Sequence, residues 1–248
     1  MPRRRKLLIT QTAPQNIAKS PYTRLGDKYK LQIEFQPFIS LKEIKAKAFR
    51  KQKVNIPSHD VILFTSRNAI IHFFRLCEDL RLRISESMRY FCLSETIAVY
   101  LQKYIVYRKR KIFVGQKTIS DLLPAFEKHR DSKILIPGSN IMNPKMHKFL
   151  IHNEVNFTQA VVYKTVNENV KDLDINSYFL IAFFTPLSIK TLFKSFPNYE
   201  QNKTIIGCYG SNTSIKAEEK NLSIEIKTPT KKAPSMSMAI DQYLKKRR

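Results

Sequence analysis

The sequence predicts an α/β protein made of two similar units, and three observations carry that prediction. A short phrase is written twice, as VILFTSRNAIIHFF at Val61 to Phe74 and as LIAFFTPLSIKTLF at Leu180 to Phe193. A second stretch, MRYFCLSETIAVYLQKYI at Met88 to Ile105, can be laid on KTIIGCYGSNTSIKAEEKNL at Lys203 to Leu222, which sets Cys92 on Cys208 and Ser94 on Gly210. The chain has 248 residues, enough for two α/β units that each bury a core. Repeats so far apart point to a duplicated domain, because solenoid repeats run to roughly 20 to 50 residues.

Each repeated phrase justifies its elements locally. The apolar run from Val61 ends in hydroxyl residues and opens straight into a helical pattern, so it reads as strand, tight turn and helix start. The stretch from Met88 does the same, with Ala98, Leu101 and Ile105 on one helical stripe. The copies from Leu180 and Lys203 repeat both patterns. A helix start leaves several backbone N–H groups without internal partners and carries the positive end of the helix dipole, so a carboxylate or phosphate docks there without a basic side chain. Two copies suggest two facing domains.

Composition narrows the class. Hydrophobic residues make up 43% of the chain, as in folded globular proteins. No apolar run approaches the roughly 20 residues of a membrane span, and only Leu7, Leu8 and Ile9 follow the basic start, too few for a signal sequence. A cytoplasmic protein is expected. Cys77, Cys92 and Cys208 are odd in number and far apart, which argues for small buried hydrophobes and against disulfides. The five histidines form no HExxH, and His147 and His152 are not aligned on one helix face, so no metal is expected. With five glycines and neither GxGxxG nor GxxxxGK[ST], a dinucleotide or P-loop site is not expected either.

The net charge of +24 invites a nucleic-acid reading. Twelve of the 44 basic residues lie in three runs, Arg3 to Lys6, Arg108 to Lys111 and Lys245 to Arg248, and Lys outnumbers Arg by 29 to 15 amid abundant Asn and Ile, as compositional bias produces. A polyanionic small-molecule substrate drawn into a basic cleft, or RNA or DNA, are the functional readings. No RNP, KH or zinc-finger signature occurs, nor an aromatic and basic stacking platform.

Five segments in register carry a resemblance: FTSRNAI at Phe64 to Ile70, VVYKT at Val161 to Thr165, FFTPLSI at Phe183 to Ile189, IGCYGSNTSIKA at Ile206 to Ala217 and TPT at Thr228 to Thr230. Together they resemble the uroporphyrinogen-III synthase family over nearly the whole chain. The resemblance implies two similar parallel-sheet α/β domains joined by two extended linkers, with a cleft between them. Residues 1–37 plus 166–248 would form one domain and 38–165 the other. LQIEFQPF at Leu31 to Phe38 and VVYKTVN at Val161 to Asn167 are the candidate linkers.

The family's reaction closes the linear tetrapyrrole hydroxymethylbilane into uroporphyrinogen III, with loss of water and inversion of the last ring, in haem biosynthesis. No cofactor or metal takes part. Substrate and product carry eight acetate and propionate carboxylates, which suits paired anion-receptive helix starts. By resemblance Thr65, Ser66, Arg67 and Asn68 form one binding turn, and Ser94, Glu95 and Thr96 its neighbour. Ser139 and Asn140 follow the ILIPGSN strand, while Thr185, Leu187 and Ser188, with Ser211, Asn212 and Thr213 after Gly210, supply the opposite wall.

Helix capping is the competing role for each turn hydroxyl, and a solvated charge the alternative to a carboxylate clamp for Arg67. Tyr163 is the candidate for chemistry, a phenol able to hydrogen-bond the departing hydroxyl oxygen, against the role of an ordinary strand tyrosine. The chain departs from the family pattern after its first strand, where Thr10, Gln11 and Thr12 stand without an arginine. Pro137, Gly138 and Ser139 also depart from it, as do Ile97 and Leu187. A monomer with no membrane and no nucleic-acid partner is expected. The competing function is a non-enzymatic basic module for RNA or an anionic metabolite.

Overall fold

Residues 4–247 are described by a computed structural model; Met1 to Arg3 and Arg248, the outer ends of two basic runs, lie outside them. The chain divides into two compact units, Met1–Ser40 with Val166–Arg248, and Leu41–Thr165. It opens in the first unit with β1 (Arg5–Ile9), α1 (Pro21–Tyr29) and β2 (Leu31–Phe35). After β3 (Ile39–Glu43) it builds the second unit from α2 (Ala46–Arg50), β4 (Val61–Phe64), α3 (Arg67–Asp79), β5 (Arg89–Cys92), α4 (Glu95–Leu101), β6 (Ile112–Val114), α5 (Leu123–Lys128), β7 (Ile134–Ser139), α6 (Pro144–His152) and β8 (Phe157–Asn167). It returns with β9 (Tyr178–Phe183), α7 (Pro186–Ser195), β10 (Ile205–Tyr209), α8 (Ser211–Glu218), β11 (Ile226–Thr228) and α9 (Met236–Lys245).

The first unit holds a parallel sheet in the order β11-β10-β9-β1-β2, and the second a sheet in the order β3-β8-β7-β4-β5-β6. Parallel sheets need apolar residues on both faces, because helices cover both. All four residues of β4 are buried accordingly, with Val61 and Leu63 packed in one cluster and Ile62 and Phe64 in the other. Helix α3 covers one face through Ala69, Ile70, Phe73, Phe74, Leu76 and Cys77, which recur at helical spacing. In the first unit Leu8, Ile181 and Ile206 pack on one side and Leu7, Leu180 and Ile205 on the other.

The repeated phrases fold alike. β4-α3-β5-α4 and β9-α7-β10-α8 are successive strand-helix pairs, and Phe64 pairs with Cys92 as Phe183 pairs with Cys208. All three cysteines are free and buried, and burial pushes each thiol up to about 12. The stretch from Leu31 is extended, but Leu31–Phe35 belongs to the sheet as β2, paired along its whole length with β1. Phe38, which the sequence reading placed at the start of the second domain, packs in the first unit against Phe183, with ring centroids 5.9 Å apart. The chain returns to the first unit within β8, which continues unbroken to Asn167.

Candidate functional site

In an open parallel sheet, the loops leaving two neighbouring strands diverge where the strand order reverses, and that divergence opens a crevice at the strands' C-terminal ends. From β4 the second unit's chain steps outward through β5 and β6, then returns to the other side of β4 as β7 and β8. The reversal therefore lies between β4 and β7. A pocket of about 450 Å³ occurs there, lined by Thr65 and Ser66 after β4, by Pro137, Gly138 and Ser139 of β7, and by Gln159 and Tyr163 of β8. Gly138 helps to keep it open: a Cβ built there meets no atom within 4 Å.

Short helix starts converge on this pocket. Ser66 is the N-cap of α3, its Oγ accepting from the Ala69 N–H at 3.1 Å. Asn143 caps α6 through Oδ1, which accepts from Lys145 N–H at 2.9 Å and Met146 N–H at 3.4 Å, and Pro144 follows at the first helical position. Thr118 caps the 3-10 turn Ile119–Leu122 in a reciprocal box with Asp121. The Asp121 carboxylate accepts the N–H groups of Gln116, Lys117 and Thr118 at 3.1, 2.9 and 2.7 Å, and these bonds hold its pKa down at about 2. Lys117 and Lys145 add positive charge to the pocket wall.

Tyr163 enters through an irregularity in the sheet. The pairing of β7 with β8 steps from Gly138 opposite Val161 to Ser139 opposite Tyr163, so Val162 is an extra residue and the strand is re-aimed beside the pocket. The Tyr163 ring is buried and lies 5.0 Å from the His72 imidazole of α3, tilted by 30°. Burial, reinforced by the nearby Arg75 guanidinium, lowers the His72 pKa and favours the neutral ring.

The other sequence-selected residues fall into distinct environments. Arg67 and Asn68 are exposed in the first turn of α3, and the Arg67 guanidinium sits 5.5 Å above the Tyr100 ring. Ser94 is the N-cap of α4 by backbone position but makes no side-chain cap; its hydroxyl lies 3.0 Å from that of Thr96. Ser139 is tied inward, its hydroxyl 3.1 Å from Thr165 Oγ1 and accepting from Ile141 N–H at 3.2 Å, while Thr165 N–H donates to Asn140 Oδ1 at 2.9 Å. In the first unit Thr185 caps α7, accepting from Ser188 N–H at 3.1 Å, and the buried Ser188 hydroxyl donates back to the Thr185 carbonyl at 2.7 Å. Leu187 is half-buried. Gly210 opens α8 at φ +86°, a left-handed conformation suited to glycine, followed by exposed Ser211 and Asn212 and buried Thr213.

The first unit reverses its strand order between β1 and β9, and here Thr10 crosses the divergence, its Oγ1 and N–H both donating to the Ala182 carbonyl at 2.9 and 3.1 Å. Sequence reasoning missed Lys117, Thr118, Asn143, Lys145 and Gln159 in the second unit's pocket. The Asn143-Pro144 pair and Thr118 three residues before Asp121 are helix-start signals that could have drawn attention to two of these turns.

Two doubly wound, mainly parallel sheets, one with a pocket flanked by helix starts at its switch point, define an α/β protein of duplicated halves. The model of the family described as Uroporphyrinogen-III synthase HemD matches residues 20–237, and the chain belongs to that family, whose members are cyclising lyases of tetrapyrrole biosynthesis. Among solved structures, a mutant uroporphyrinogen III synthase from the extremely thermophilic bacterium Thermus thermophilus matches at 14% identity and a TM-score of 0.66, covering 97% of this chain and 99% of its own. The uroporphyrinogen-III synthetase of Helicobacter pylori matches at 17% identity and 0.60, with the same coverage of both chains. No curated protein matches. The family's substrate is a tetrapyrrole, and the family match supports the synthase function over the RNA-binding alternative.

Proposed function

We propose that the pocket between the ends of β4 and β7 takes carboxylates of hydroxymethylbilane, and that Tyr163 assists departure of the hydroxyl group. The observation that carries this reading is the convergence of capped helix starts, two lysines and one phenol on a single pocket. Each anion at a helix start gains only about 0.3 to 1 kcal/mol, so several together are needed to fix the fold of a flexible bilane. About 1.4 kcal/mol changes a rate ratio tenfold, so this modest preorganisation suffices to favour the inverted product over simple closure.

In this reading Lys117, Lys145 and the N–H groups of α3 hold carboxylates, with Thr65, Ser66, Arg67 and Asn68 at the α3 turn and Ser94 and Thr96 at the α4 turn. Ser139 shapes the β7 end through its bonds to β8. Tyr163 donates its phenolic hydrogen bond to the leaving oxygen as the electron-rich pyrrole expels it. Thr185, Leu187, Ser188, Ser211, Asn212 and Thr213 belong to further anion-receptive turns of the first unit, acting chiefly through main-chain donors. The reading extends to a cytoplasmic monomer, and three free buried thiols accord with a reducing compartment.

The test feeds enzymatically generated hydroxymethylbilane to the purified protein and separates type III from type I product after oxidation. Type III is expected from the parent chain, and a shift toward type I from Lys117→Met with Lys145→Met. Type III formation unchanged in that double variant would overturn the pocket assignment, while type I alone from the parent chain would sink the synthase reading.

A further inference from the structure

The pocket chemistry uses none of the three basic runs, and the internal one, Arg108 to Lys111, has a distinctive setting. Residues 103–111 lead from the end of α4 to the edge strand β6 and contain no acidic residue. Val106 is 80% exposed, the most exposed large hydrophobic side chain among the described residues, and Tyr107 beside it is 44% exposed. Arg108 to Lys111 follow at once. Two of these cations are engaged by one neighbour: Arg108 Nη2 lies 3.1 Å from the Glu86 carboxylate, and the Lys111 amine donates to the Glu86 carbonyl. Lys109 and Arg110 stay exposed with no ion pair among the described residues.

A hollow of about 570 Å³ adjoins the segment, lined by Ile105, Val106, Phe74 and Tyr90 together with charged residues that include Glu78, Arg83 and Glu86. An aliphatic tip next to unpaired cations has the chemistry of an interfacial anchor, the apolar part entering the headgroup and acyl boundary while the cations meet anionic headgroups. A nucleic-acid backbone would use Lys109 and Arg110 but gains nothing from Val106, which neither stacks on bases nor hydrogen-bonds. No helix among the described residues is long and apolar enough to cross a membrane, so any contact is made at the surface.

We propose that residues 103–111 dock this protein on an anionic lipid surface, with Val106 and Tyr107 at the acyl boundary and Lys109 and Arg110 on the headgroups. The test is co-sedimentation of the full chain with vesicles of phosphatidylcholine alone or mixed with phosphatidylglycerol, alongside hydroxymethylbilane turnover. Binding is expected on the mixed vesicles only. Lys109→Gln with Arg110→Gln should weaken it about thirtyfold, Val106→Ser several-fold, and Lys245→Gln with Lys246→Gln little, with turnover unchanged in all three. Binding to neither vesicle, or equally to both, overturns the proposal. So does an equal loss in the Lys245 and Lys246 variant, which would mean net charge alone. A Val106→Ser variant that binds as the parent does would make the segment a general polyanion site, RNA included, and would also overturn the proposal.

Discussion

The Tyr163 ring lies 5.0 Å from the His72 imidazole, so a residue of β8 and a residue of α3 meet beside the pocket. Burial and the Arg75 charge favour a neutral imidazole beside the phenol. Tyr163→Phe keeps the ring packing and removes the hydroxyl. Turnover should fall by about a hundredfold, the low end of what a general acid contributes, without vanishing, because acid assistance is one contribution among several. The check is the rate of type III formation under substrate saturation; complete loss with binding and thermal unfolding intact would contradict it.

The same pair gives a pH dependence. His72 has a folded pKa below its ordinary value of 6.5, so the unfolded chain takes up the proton first as pH falls. Stability then declines through that window and is fully reduced below the folded pKa. His72→Gln should flatten this decline while leaving stability near pH 8 almost unchanged. Urea midpoints measured across the range test it, and an unaltered acid slope would remove His72 from the account.

Ser66 and Ser94 occupy equivalent backbone positions with unequal bonds. The Ser66 hydroxyl caps α3 and the Ser94 hydroxyl does not cap α4. Ser66→Ala should cost about 1 kcal/mol of stability and Ser94→Ala almost none. If Ser94 holds substrate, its variant should raise KM with the unfolding midpoint unmoved, a combination that separates binding from capping.

Gly138→Val adds a branched side chain where a Cβ meets open space, on a strand that tolerates branching. The fold should survive within about 1 kcal/mol, since β-propensity spans about that range. Type III formation should drop sharply because the pocket is filled. Unchanged activity would show that this hollow is not where substrate enters.

Much of the fold was legible because it was local. The apolar run ending at Phe64, the hydroxyl turn and the helical stripe after it lie within fourteen residues, and the copy ending at Phe183 repeats the register with Cys208 that Phe64 has with Cys92. The rest depended on long-range adjacency. Lys117, Asn143 and Lys145 reach the pocket only because β7 returns to the far side of β4, an ordering that no local pattern records. Leu31 to Phe35 looked like a linker because an edge strand half exposed to solvent alternates as an isolated extended segment does. The inward bonds of Ser139 were equally hidden, since Thr165 is distant in sequence.

The capped helix starts of α3, α6 and α7 bear on how this sequence was free to change. A main-chain N–H is the same group in every residue except proline, so binding carried by such donors is insulated from mutation as long as the turn keeps its shape. Side chains beside these donors can therefore change while the main-chain donors themselves persist.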